Sequence, residues 1–130
     1  MPFQRVFSGA PWEAQVGYCR ALRASDRVFV TGTAPVAEGG GVHAPGDAYA
    51  QARRCFAIIE EALAGLGATL ADVTRTRMFV TDIARWEEYG RAHAEAFGAH
   101  PPTTTMVEVR RLIHPDMLIE IEADAVVQGA

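Results

Sequence analysis

Lysine is absent from the 130 residues; the 12 basic side chains other than histidine are all arginines. That excludes Schiff-base catalysis through a lysine, including the usual anchor of pyridoxal phosphate, and it excludes a P-loop, which needs its lysine on the phosphates. Cysteine is scarce. Cys19 and Cys55 fit no metal-binding spacing and read as reduced, structural thiols of a cytosolic protein. No apolar run approaches the roughly 20 residues that a membrane-spanning helix needs. The opening MPFQRVFSGAPW has no hydrophobic segment flanked by positive charge, so no signal peptide is expected. A basic patch is missing as well. With a net charge of −4 and acids dispersed among the arginines, nucleic acid is not an expected partner.

What remains is an ordinary globular composition, 49% apolar and 22% charged, in a chain long enough for one core. A single domain over residues 1–130 is expected. RVFVTGTAP is a short apolar run ended by Gly32 and Pro35, a buried strand running into a turn. AEGGGVHAPGD then reads as a hairpin tip; no strand–glycine–helix pattern surrounds its three glycines, so a phosphate cradle is not indicated.

From Asp47 the period becomes helical. Ala52, Cys55, Phe56, Ile59, Ala62, Leu63 and Leu66 make one apolar stripe, with Asp47 as N-cap and Gly67 as the stop. VTRTRMFVTD alternates as a strand does: Thr76, Met78 and Val80 share one face, Arg75, Arg77 and Phe79 the other. A second helix begins at Asp82, carries Trp86, Tyr89, Gly90, His93 and Phe97 along one side, and ends at Gly98. TTTMVEVRR and MLIEIEADAVV read as the last strands. In the final one Ile119, Ile121, Ala123 and Ala125 face one way, and Leu118, Glu120, Glu122 and Asp124 the other. Two helices on one face of a mixed sheet accommodate this order, and the opposite face keeps apolar residues that a second copy of the chain would cover.

Two constellations could carry chemistry. Alternate residues of a strand stand roughly 7 Å apart, so Glu120, Glu122 and Asp124 repel one another unless Arg75 and Arg77 intervene. The row is either a salt-bridge network or the place where one acid activates water. His93, on the apolar side of its helix, is either a hydrogen-bonded core or interface residue or a participant in a site. Tyr18 is core or pocket. His43, His100 and His114 fall in loops, and no metal site is expected.

Together the stretches GYCRALRASDRVFVTGTAPV, TRTRMFVTDI, PPTTTMVEVRRL and MLIEIEADAVV resemble the reactive-intermediate deaminase family, the Rid/YjgF group, from about residue 16 to 127. The ending V-E-V-x-x-L followed by I-E-I-E-A is the most specific part. The resemblance implies a chorismate-mutase-like α+β domain assembled as a homotrimer, with a pocket for a small metabolite at each subunit boundary, no cofactor and a cytoplasmic location. It implies hydrolysis of enamines and imines such as 2-aminoacrylate and 2-iminopropanoate. By the same resemblance Tyr18 matches the pocket tyrosine, Thr31 and Gly32 the Ser-Gly pair beside the substrate, and Glu120 the acid that positions the hydrolytic water. A ribonuclease activity attached to the family's name is not expected of so acidic a chain.

One position departs from the pattern. Where active members read Pro-Ala-Arg-Ser, this chain reads Pro102-Thr103-Thr104-Thr105, so Thr104 replaces the arginine that clamps the substrate carboxylate. Met106 replaces a frequent cysteine and Gly90 a pocket asparagine. A guanidinium offers two charge-assisted bonds where a hydroxyl offers one neutral donor, a loss of about 1.5–3 kcal/mol. Arg77, in place of a small polar residue, either supplies the missing cation or pairs with Glu120 or Glu122. Otherwise the pocket has become neutral, with His93 and Thr104 as its donors. The expected function is an imine or enamine hydrolase; the alternative is a trimeric metabolite-binding protein without turnover.

Overall fold

The computed structural model describes residues 2–128. A six-stranded sheet is built from β1 (Gln4–Val6), β2 (Ala21–Ala24), β3 (Arg27–Thr33), β4 (Val73–Val80), β5 (Thr103–Glu108) and β6 (Ile119–Val126), in the spatial order β1-β2-β3-β6-β4-β5. All neighbours are antiparallel except β4 and β5, which run parallel. The short helix α1 (Pro11–Val16) precedes β2. The long helices α2 (Ala48–Ala64) and α3 (Trp86–Phe97) pack together on one face of the sheet. The mixed α+β arrangement, with its helices on one side, is the one anticipated from the hydrophobic pattern.

α2 forms where the three- and four-residue period placed it. Ala52, Cys55, Phe56, Ile59, Ala62 and Leu63 are buried against the sheet. Asp47 caps the helix by accepting the Ala50 N–H at 2.9 Å. At the other end the chain reverses at Gly67, φ +76°, while Ala68 N–H returns to the Leu63 carbonyl at 2.9 Å. Gln51, fully buried, donates from Nε2 to the Asp116 carbonyl at 2.8 Å and accepts Leu118 N–H at 2.8 Å, tying the loop before β6 to the helix.

β6 lies at the centre of the sheet, and its alternation is complete. Ile119, Ile121, Ala123 and Ala125 are buried under the helices, while Glu120, Glu122 and Asp124 project from the opposite face. That face, hereafter the open face, also carries Phe29, 46% exposed, and Val107, 43% exposed.

Three local features differ from the sequence pattern. β1 and α1, three and six residues long, are too short to show a period. Trp86, expected on the buried side of α3, opens the helix ahead of its packed stretch of Tyr89, Ala92 and Phe97 and is 56% exposed. The strand expected through Arg111 ends at Glu108. Among the described residues no helix is long and apolar enough to cross a membrane.

Candidate active site

The acid side of the site is made by an irregularity in β3. Val30 pairs with Ala123 and Thr33 with Ile121, so three steps along β3 match two along β6, and Thr31–Gly32 forms a bulge. The bulge aims Gly32 at Glu120. A Cβ on residue 32 would collide with the Glu120 carboxylate, so glycine is what gives that carboxylate its room. Thr31 Oγ1 donates to the Cys19 carbonyl at 2.7 Å, and Thr33 Oγ1 to the Thr31 carbonyl at 2.7 Å, which fixes the bulge.

Glu120 is half-buried. Its removal from water pushes its pKa above the ordinary carboxylate value; Arg20 draws it back in part, and Glu122 on the same face pushes it up again. Arg20 reaches across from the start of β2. Its Nη2 donates to the Gly32 carbonyl at 2.8 Å, and its guanidinium carbon stands 6.0 Å from the centroid of the Tyr18 ring. Glu120, Gly32, Thr31, Tyr18 and Arg20 are thus one group.

Beside that group a groove of about 720 Å³ runs over the open face, lined by Arg5, Phe7, Tyr18, Cys19, Phe29, Thr31, Arg77, Glu122 and Asp124 among others. One wall is held by Glu13 of α1, almost fully buried, which accepts N–H groups of Ser8 at 3.1 Å and Gly9 at 3.3 Å and bonds the Ser8 hydroxyl. Burial works against its charge, but these donors outweigh it and hold the carboxyl below its usual value.

Arg77 also belongs to the open face. Its Nη1 lies 3.2 Å from Asp124 Oδ2 and 3.7 Å from Glu122 Oε1. Of the two roles open to it, pairing with the acids is the one its contacts carry, and its partners are Glu122 and Asp124 rather than Glu120. The acid row therefore divides: two members share Arg77, and Glu120 is left beside Arg20.

Thr104, Met106 and His93 lie on the other side of the sheet, at its β5 edge. Thr104 stands in register with Thr76, and Met106 with Met78, both of which face the helices. The fully buried Thr76 hydroxyl donates to Thr104 Oγ1 at 2.7 Å and contacts His93 Nε2 at 2.8 Å. The His93 ring packs against Phe97 and edge-on to Phe56, with centroids 4.7 and 5.6 Å away. Burial lowers its pKa, which favours the neutral ring. With Thr76 donating to Thr104, the His93 Nε2–H donates to Thr76, and Thr104 keeps its own hydroxyl hydrogen for solvent or ligand. One turn before His93, a Cβ at Gly90 would meet nothing within 4 Å, leaving open space there.

Within one chain, then, Tyr18, Thr31, Gly32 and Glu120 converge, with Arg77 along the same face, whereas Thr104, Met106 and His93 gather behind the sheet. Sequence reasoning missed Arg20, Glu13 and Thr76. Arg20 stood among the dispersed arginines, and Thr76 looked like an ordinary core-facing strand residue. Among the described residues no three His, Cys, Asp or Glu side chains gather as a metal site.

The sequence profile of the Endoribonuclease L-PSP family matches residues 8–127. The chain belongs to this family, the Rid/YjgF group. Among its relatives, an uncharacterized protein of Streptomyces coelicolor is 37% identical over 122 residues, 94% of this chain and 90% of that one. The 3-aminoacrylate deaminase RutC of Acinetobacter baylyi is 36% identical over 108 residues, 83% of this chain and 85% of that one. The crystal structure of Rv2704 from Mycobacterium tuberculosis, a YjgF/YER057c/UK114 family member, superposes with a TM-score of 0.88 at 49% identity, covering 97% of this chain and all of that one. E. coli TdcF, solved with bound serine, gives a TM-score of 0.79 at 26% identity, over 94% and 92% of the two chains. The Rid/YjgF fold is therefore shared along nearly the whole chain, and the family includes a deaminase of a small enamine-type acid.

Proposed function

We propose that this Rid/YjgF protein is an imine or enamine hydrolase for a small reactive metabolite, assembled as a homotrimer with its sites between chains. The observation that carries this reading is Glu120: a half-buried carboxyl of raised proton affinity, seated against a bulge glycine whose missing side chain makes its room. Such a carboxyl exchanges protons closer to neutral pH than a solvated one does.

The chemistry needs no cofactor. An enamine takes a proton on carbon and becomes an iminium ion, the protonated imine. Water adds to the carbon of the C=N bond while Glu120 accepts one of its protons, giving a carbinolamine. Glu120 then returns that proton to the amine nitrogen, and the C–N bond breaks as the carbinol hydroxyl gives its proton to solvent, releasing ammonia and leaving a carbonyl product. Serine in the TdcF structure and 3-aminoacrylate as the RutC substrate indicate the size of ligand that suits this scaffold. Nothing in a net charge of −4 or in the acid row recommends an RNA backbone as the substrate.

The test measures ammonia release from imines generated in situ by an amino-acid oxidase, with semicarbazide trapping whatever imine survives. Activity that disappears in Glu120→Gln, with assembly intact, supports the hydrolase. A binding protein without turnover is the second reading, favoured by Thr104 standing where the family keeps its clamp. Silence of both wild type and Thr104→Arg would establish it over the first.

A further inference from the structure

An imine of a 2-oxo acid carries a carboxylate, and on the open face it would meet Glu120, Glu122 and Asp124. Some cation must offset that repulsion. Thr104 has none to give, and Arg77 is engaged by Glu122 and Asp124. Arg75 stands opposite Asp124, four residues along β6 from Glu120 and so roughly 13 Å away. Arg5 lies on β1, at the edge of the sheet.

Arg20 is differently placed. Among the described residues only its Nη2 is committed, at 2.8 Å to the carbonyl of Gly32, the residue whose missing side chain makes room for Glu120. Its Nε is a buried donor with no acceptor, the only side-chain nitrogen or oxygen in that condition among the described residues. Among the described residues no carboxylate forms an ion pair with the guanidinium. Tyr18 stands beside the group, and Gly32 anchors one nitrogen, so the guanidinium is positioned before any ligand arrives. A ligand carboxylate at the fork would give the orphaned N–H the acceptor it lacks.

We propose that Arg20 is the anion-recognition residue of the Glu120 site, binding the carboxylate of a small 2-imino or 2-oxo acid in place of an arginine at position 104. The inference rests on the reading of Glu120 as the reaction centre. It goes beyond that reading in assigning the residue that selects the substrate carboxylate. Its charge already reaches Glu120, where it offsets part of the effect of burial.

The test titrates the assembled protein calorimetrically with pyruvate and with pyruvamide, which has the same size and no charge. Wild type should prefer pyruvate by about ten- to a hundredfold, the range expected for a hydrogen bond to a charged group. Arg20→Gln should erase that preference while leaving pyruvamide binding in place. Arg20→Lys, which keeps the charge but loses the planar fork, should retain part of it and decides the matter should Arg20→Gln not fold. A preference undiminished in both variants, an equal loss of both ligands, or no preference in wild type would overturn the proposal. An Arg20-dependent preference in a protein that releases no ammonia sinks the hydrolase reading alone. Ammonia release with the preference intact in Arg20→Gln sinks this inference alone.

Discussion

Thr104 and Glu120 occupy opposite faces of one sheet. Thr104 stands in register with the buried Thr76 and accepts its hydroxyl, while Glu120 is paired with Phe79 on the face away from the helices. A site that uses both residues therefore takes them from different chains. The exposed Phe29 and Val107 supply apolar surface for such a meeting.

Wild type should sediment at about three times the 14.0 kDa chain mass. Phe29→Glu places a charge on the open face beside Asp124, its partner in the β3–β6 register. It should shift the protein to a single-chain mass and lower ammonia release at least tenfold, with the circular dichroism of α2 and α3 preserved. A fully active monomer would show that one chain contains the whole site.

Glu120→Gln should lower turnover by about 10²–10⁴-fold and at the same time stabilise the fold at neutral pH. The sign follows from linkage. The folded pKa lies above the ordinary carboxylate value of about 4.5 that the unfolded chain keeps, so between the two the folded chain holds more protons than the unfolded one, and stability falls as pH rises through that window. The penalty is complete above the folded pKa and absent below the unfolded one. Melting curves should show the variant ahead at pH 7, with the gap closing as pH falls toward about 4.5 and absent below it. A constant gap across the range would mean that the carboxyl is not destabilised by burial.

Gly32→Ala separates site from fold. The added Cβ meets the flexible end of Glu120 rather than backbone, and residue 32 is not in the left-handed region. The carboxylate can swing aside, so melting should shift by no more than about 1 kcal/mol, while turnover falls about tenfold or more as the acid leaves its position. Unchanged turnover would remove the Gly32–Glu120 fit from the mechanism.

How much of this was legible beforehand depended on the range of the interaction. The α2 stripe and the alternation of Ile119, Glu120, Ile121 and Glu122 are local periods, and both survive intact in the structure. Glu120 and Gly32 could be singled out through resemblance, but the bulge that joins them is a mismatch between two strands about 90 residues apart in sequence, which no local pattern encodes. The face of Thr104 is set by the parallel register of β5 on β4. A run of three threonines has no alternation to reveal it. Arg20 looked like one of many dispersed arginines, because its distinction is an unfilled hydrogen bond.

The relay behind β5 makes Thr76→Val informative. Valine keeps the shape but removes the hydroxyl that joins Thr104 to His93. Thr104 is exposed and can turn to water; His93, enclosed by Phe56 and Phe97, loses its partner. The expected cost is about 1–3 kcal/mol, read from the urea midpoint at fixed protein concentration with an unchanged slope. A shift under about 0.3 kcal/mol, inside the scatter of neutral surface substitutions, would show that the three-residue chain contributes nothing to the fold.

Arg77→Ala distinguishes the two arginines of the open face. Its bonds go to Glu122 and Asp124, and all three side chains are about a third or more exposed, so the ion pairs are screened and worth at most about 1 kcal/mol. Removing Arg77 also frees two carboxylates beside the groove, which should weaken binding of any anion there modestly, with a dependence on salt concentration. The selectivity between pyruvate and pyruvamide should survive to within a few-fold, because the groups that distinguish a carboxylate from an amide lie at Arg20. Calorimetry of Arg77→Ala at low and at physiological salt checks this. A collapse of selectivity at both salt concentrations would transfer the clamp to Arg77 and would mean that Glu122 and Asp124 release it when ligand binds.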